Sequence, residues 1–195
     1  MIKTATRIGK NMNIVRHGLF LSALALTFLF GGAPTLAQFH GDDVLRTGTF
    51  NDDVFVSGGH VTIRATVNAG VIAMGREVMI RSNITGDVVT SGATVTVGDQ
   101  IGGDVLAAAG AIRAKGKIGG EMTAVGGDIE LNAAITGDLL ALGGRLEAAG
   151  RIDGDAKLAG GRVEAKAQIG GNLMMAGGCL ILEPDAVGKG KAWGV

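Results

Sequence analysis

Reactive chemistry is what this chain has least of. Its single cysteine, Cys179, rules out an intrachain disulfide and reads as a small apolar filler. Tyrosine is absent. Beyond residue 37 the aromatics are Phe39, Phe50 and Phe55 near one end and Trp193 near the other, with none between. Charge of one sign is not in excess either. Lys and Arg number 18, as do Asp and Glu, an even mixture that gives no basic footprint for nucleic acid. Neither G-x-x-x-x-G-K-S/T nor G-x-G-x-x-G occurs, so the phosphate-cradling loops of nucleotide sites are missing. His40 and His60 have no serine, cysteine or metal-ligand partner at a useful spacing. No catalytic residue, cofactor or metal is expected, and the chain does not read as an enzyme.

Long hydrophobic runs are missing too. The apolar stretch from Leu19 to Phe30 is shorter than the ~20 residues needed to cross a bilayer. It follows a basic segment carrying Lys3, Arg7, Lys10 and Arg16 with no acid. Gly31, Gly32 and Pro34 break it before the small-residue end Thr35-Leu36-Ala37. That is the anatomy of a secretory signal peptide, residues 1–37, with cleavage expected near Ala37. Weak apolar character up to Ala37 leaves an uncleaved inner-membrane anchor as the alternative. No cysteine stands at the cleavage point to make a lipoprotein. Cleavage would leave 158 residues with 14 Lys+Arg against 18 Asp+Glu, a net charge of −4, in one domain. Such a product belongs in the periplasm, the cell envelope or the medium.

Glycine, at 35 residues, is abundant, and it falls in a 17-residue period. From Asn51 the units end at Val67, Ile84, Ile101, Ile118, Ile135, Ile152 and Ile169, and an eighth, one residue longer, ends at Val187. A fixed period signals a repeat architecture in which each unit touches mainly its neighbours. Gly recurs too often for helices, since each interior Gly weakens one by ~1 kcal/mol. Runs such as Arg162-Val163-Glu164-Ala165 alternate with period two, as half-buried strands do. The fold expected is an all-β, parallel β-solenoid of about eight rungs over residues 51–187. Residues 38–50 and 188–195 are expected to cap it through Phe39, Phe50 and Trp193. Two ladders should fill the core, one running from Val61 to Leu180 and one from Ile84 to Ile169.

The first strand of each unit is apolar on both sides. One side carries Val54, Val71, Val88 and their equivalents, the other Phe55, Ile72, Val89, Leu106, Leu140 and Met174. Alternation lets only one set point inward, so the other makes an outer apolar face of the kind that usually marks an interaction site. An acidic row (Asp87, Asp104, Glu121, Asp138, Asp155) sits at Gly-preceded corners. It should be held by hydrogen bonds to the corner's own backbone N–H groups, with a row of cation sites as the sharper alternative. Glu130, Glu147 and Glu164 form a third stack, with Arg145 and Arg162 placed to neutralise it.

These corners and strands resemble the bactofilins, the polymer-forming cytoskeletal proteins of bacteria. The resemblance covers roughly residues 50–187. It rests on the I-x-G-D-V/L corners at Ile101-Gly102-Gly103-Asp104-Val105 and Ile135-Thr136-Gly137-Asp138-Leu139, and on strands such as Gly161-Arg162-Val163-Glu164-Ala165. It implies a right-handed three-sided β-helix that polymerises without nucleotide and serves as a scaffold. The departure is the export signal, since typical bactofilins are cytoplasmic. Left-handed hexapeptide solenoids fit less well, because their aliphatic-Gly hexad recurs three times per turn and here appears about once. The function expected is an exported structural protein that self-assembles into a homo-oligomer or filament, with a membrane or envelope partner also in reach. The alternative is an adhesin-like, glycan-binding or cation-binding module.

Overall fold

A 17-residue unit with short β-branched runs and glycine corners can bury its apolar side in one economical way. It coils once and stacks on the next unit. The computed structural model, which describes residues 37–184, 186 and 190–194, has this arrangement. The turns are β1 (Ala37–Phe50), β2 (Val54–Val67), β3 (Val71–Ile84), β4 (Val88–Ile101), β5 (Val105–Ile118), β6 (Met122–Ile135) and β7 (Leu139–Ile152). They continue as β8 (Ala156–Ala165) with β9 (Gln168–Ile169), then β10 (Leu173–Leu182), and end on β11 (Ala192–Gly194). Each turn pairs in parallel with the next, and from β1 to β10 every partner lies 17 residues on, as Val54 with Val71 and Val71 with Val88. The result is a parallel β-solenoid of nine turns.

Register decides which side chains meet. In the first strand of each turn Val54, Val71, Val88, Val105, Met122, Leu139, Ala156 and Leu173 are buried, so this set faces the core. The ladder from Val61 to Val163 is buried throughout, with Leu180 half-buried at its end. Val67 opens the other ladder and Ile84 to Ile169 continue it, each at most 2% exposed. Full burial of one such side chain contributes roughly 1.5–3 kcal/mol, so these columns are the main source of stability.

One corner comes in two forms. Gly48, Asp99, Gly116 and Gly150 occupy the same column, have positive φ and are exposed. At the equivalent places Ala65, Ser82 and Ala133 keep ordinary backbone and are buried instead. Only a small side chain fits inward there. Ser82 satisfies its hydroxyl by donating to the Ile63 carbonyl oxygen at 2.9 Å and accepting from Ala65 N–H at 3.2 Å.

The two ends close differently. Residues 38–50, expected as a cap, form most of a complete rung in register with β2. In that rung the Phe39 and Phe50 rings meet edge to face, 6.0 Å between centroids. Arg46 stands in the inward column continued by Ile63 and Ile80, its guanidinium 3.7 Å above the Phe39 ring. At the other end Ala186 follows the isoleucine ladder: it is buried, and its carbonyl accepts the Ile169 N–H at 2.8 Å. Val187 lies outside the described residues. The last turn is two residues longer than the others rather than the one expected, since Ala192 of β11 pairs with Leu173 at a spacing of 19. The expected signal peptide also lies outside the described residues, except Ala37 at the start of β1.

Candidate assembly face and acidic corner ladder

With Val54 and its equivalents turned inward, alternation forces the next residue of each turn outward. Phe55, Ile72, Val89, Leu106, Thr123, Leu140, Lys157 and Met174 therefore stand in one outer column, each in register with the next. Trp193, expected in a terminal cap, extends this column by pairing with Met174 and is 52% exposed. β11 covers the backbone edge only of Leu173–Met175. Two residues further along each strand lies a second outward column that the sequence reading passed over: Ser57, Met74, Ser91, Ala108, Val125, Leu142, Ala159 and Ala176. The period-two rule that placed the first column would have found it. Val125, Leu140, Leu142 and Met174 are 38–49% exposed. Large aliphatic side chains left this open in one contiguous patch are uncommon on monomers.

The acidic row borders this face directly, one residue before the inward Val88, Val105, Met122, Leu139 and Ala156. Its hydrogen bonding differs from the expected local cap. The carboxylate reaches the next turn: Asp87 Oδ1 accepts from Asp104 N–H at 2.9 Å, Asp104 Oδ1 from Glu121 N–H at 2.8 Å, and Asp138 Oδ1 from Asp155 N–H at 2.8 Å. Asp155 continues to Asn172 N–H at 2.7 Å, and Asp53 begins the series on Gly70 N–H at 2.7 Å. These peptide groups lie in the bends between strands, so the aspartates carry the ladder across corners.

The same geometry explains the glycine at four of these corners. A Cβ built on Gly103, Gly120, Gly154 or Gly171 would overlap the carboxylate oxygen of the aspartate one turn earlier. The x-Gly-Asp corner is thus a contact between consecutive turns. Like charges stacked ~4.8 Å apart repel by roughly 1 kcal/mol per neighbouring pair in water. One charge-assisted hydrogen bond of about 1.5–3 kcal/mol per pair more than offsets that. Among the described residues no group of three or more His, Cys, Asp or Glu is arranged to hold a metal ion.

The glutamate stack makes its direct ion pairs with residues other than the two expected. Lys166 Nζ lies 2.9 Å from Glu147 Oε1 and 2.9 Å from Glu164 Oε1, and Arg113 Nε lies 3.5 Å from Glu130 Oε2. The Lys166 hydrogen bond holds the Glu164 carboxyl below its ordinary value, with Arg162 and Arg145 adding weaker long-range attraction. The two carboxylates in turn hold the Lys166 ammonium above its ordinary value. His40 Nδ1 lies 2.8 Å from Ser57 Oγ, and His60 Nδ1 lies 3.0 Å from Asp43 Oδ1. Both pairs are exposed and join turns one to two, as the aspartates do elsewhere.

Comparison with family models, with curated proteins and with solved structures finds no match to this chain.

Proposed function

We propose that this chain is a non-enzymatic, exported structural protein that self-assembles through its solenoid in the manner the bactofilin resemblance implies. The observation that carries the reading is the outer face of the first strands. It is flat, runs the length of the stack, and leaves Val125, Leu140, Leu142, Met174 and Trp193 between 38% and 52% exposed. Water penalises such a patch by roughly 25 cal/mol for each Å² left bare, and covering it would recover that energy. The basic, apolar and small-residue segments of residues 1–37 support the export reading, with the periplasm, cell envelope or medium as destination. The other surfaces read as bonds between consecutive turns: the aspartates hold corners, and Lys166 holds two glutamates.

Gel filtration with negative-stain electron microscopy tests the reading. Oligomers or filaments are expected at micromolar concentration. Placing charges at Leu106, Leu140 and Met174 should release monomers with an unchanged far-UV spectrum. A wild-type protein that stays monodisperse and monomeric at high concentration would overturn self-assembly.

A further inference from the structure

The outer face carries two columns of unequal size, and their inequality specifies a pairing. In most turns a large first-column residue has a small neighbour: Leu106 stands beside Ala108, Lys157 beside Ala159, and Met174 beside Ala176, whereas Ile72 with Met74 and Leu140 with Leu142 are both large. At one place the order reverses. Thr123 is the small member beside Val125, and it borders a shallow depression of about 180 Å³ that Leu140 and Lys157 also line.

We propose that two copies of this chain pair face to face about a two-fold axis parallel to the solenoid axis, turn against equal turn. This rests on the self-assembly reading and specifies its geometry. Such an axis exchanges the two columns while keeping each turn level. Every first-column residue then meets the second-column residue of the same turn in its partner. Leu106 seats over Ala108, Lys157 over Ala159 and Met174 over Ala176, while Val125 and Leu142 fill the depression beside Thr123. Two turns, the one carrying Ile72 and Met74 and the one carrying Leu140 and Leu142, set two large side chains together. A two-fold axis across the strands' stacking direction would instead set large column on large column.

Charge at the two rims points the same way. One rim of the face is the acidic row; the other is the corner column that carries His60, Glu77, Asp128, Arg145 and Arg162. The axis along the stack sets Asp138 level with Arg145, Asp155 with Arg162, and Asp53 with His60, three attractive pairs against one repulsive pair, Glu121 with Asp128. An axis across the stack would bring the two acidic rows together. An anionic lipid surface meets the same obstacle from the acidic row.

The dimensions suffice. Nine turns at ~4.8 Å and four residues at ~3.3 Å give a face of roughly 40 by 13 Å, or about 1,100 Å² over both copies, just above the ~1,000 Å² a specific interface needs. Stacking end on end is disfavoured by Arg46, an inward-pointing charge of the kind that blunts sheet edges.

Distance measurement between spin labels tests the geometry in the full chain expressed in an exporting host. Single labels would be placed at Asn51→Cys, Thr85→Cys and Thr136→Cys, each in a Cys179→Ser background. Pairing along the stack gives three equal inter-copy distances, near the width of the face. Distances that differ by 10 Å or more between sites would overturn this pairing and leave self-assembly standing. A monomer with no inter-copy coupling would overturn both, and would do so equally if the protein floated with vesicles of anionic phospholipid. Ala108→Trp supplies a second readout, since it fills the seat of Leu106 on a residue already exposed in one copy. It should weaken dimerisation at least tenfold with an unchanged melting profile of the monomer. Dimerisation as strong as wild type would overturn the assigned contact.

Discussion

Asp138 measures how much of this solenoid is held at its corners. Its carboxylate accepts one hydrogen bond, from the Asp155 N–H at 2.8 Å, and stands in a row between Glu121 and Asp155. Removing it by Asp138→Ala deletes a charge-assisted bond of about 1.5–3 kcal/mol. It also relieves two repulsions of roughly 1 kcal/mol each in water, about half that at physiological salt. The bond wins, and the variant should lose about 1 kcal/mol, or about 2–4 °C of melting temperature for a domain of this size. Asp138→Asn keeps an acceptor oxygen while removing both repulsions, so its melting temperature should stay within about 2 °C of the parent. Gly154→Ala approaches the same contact from the next turn. Its Cβ would overlap the Asp138 carboxylate and lie 2.7 Å from the Gly137 carbonyl oxygen, so it should cost about 1–3 kcal/mol. Thermal unfolding followed by circular dichroism, with and without millimolar Ca²⁺, reads all three. An Asp138→Ala protein as stable as the parent would refute the bond between turns. A rise of several degrees with Ca²⁺ in the parent, absent from Asp138→Ala, would turn the acidic row into a cation ladder.

Two other outcomes are expected. Ile135→Asp puts an unpaired carboxylate at a position 2% exposed, between Ile118 and Ile152, and should cost several kcal/mol; a melting temperature within 2 °C of the parent would show the ladder assignment wrong. Lys166→Met should destabilise the protein across neutral pH and converge with the parent in acid. Glu164 is held below 4.5, so its contribution is present above that pH and is lost as pH falls through the lowered value. Lys166 is held above 10.5, so its share persists at neutral and mildly alkaline pH and is lost only when pH rises through the raised value. Equal melting temperatures of parent and variant at pH 7 would refute the pairing.

Much of the architecture was written in the chain. A period of 17 with strand alternation has one stacking register, because a slip of one residue would turn every buried valine outward. The ladders from Val61 and Ile84, and the outer column from Phe55 to Met174, follow from that arithmetic alone. Position within one turn is therefore local information. Contacts between turns are a different kind, since they join residues 17 apart through geometry that no local pattern encodes. The sequence marked Gly-Asp as a turn, but only the stack shows the aspartate bonding the following turn and the glycine making room for the previous one. It paired Glu147 and Glu164 with arginines two residues away, while the fold delivers Lys166 between them. It placed Phe39, Phe50 and Trp193 together as end caps because aromatics cluster at both ends. The fold keeps Phe39 and Phe50 at the core's edge and sends Trp193 to the outer face, because β11 pairs with Met174 at a spacing of 19. The sequence determined which side chains are buried, through periodicity. The tertiary structure decided what the exposed and polar ones touch, because that depends on which turn lies above and how the ends close.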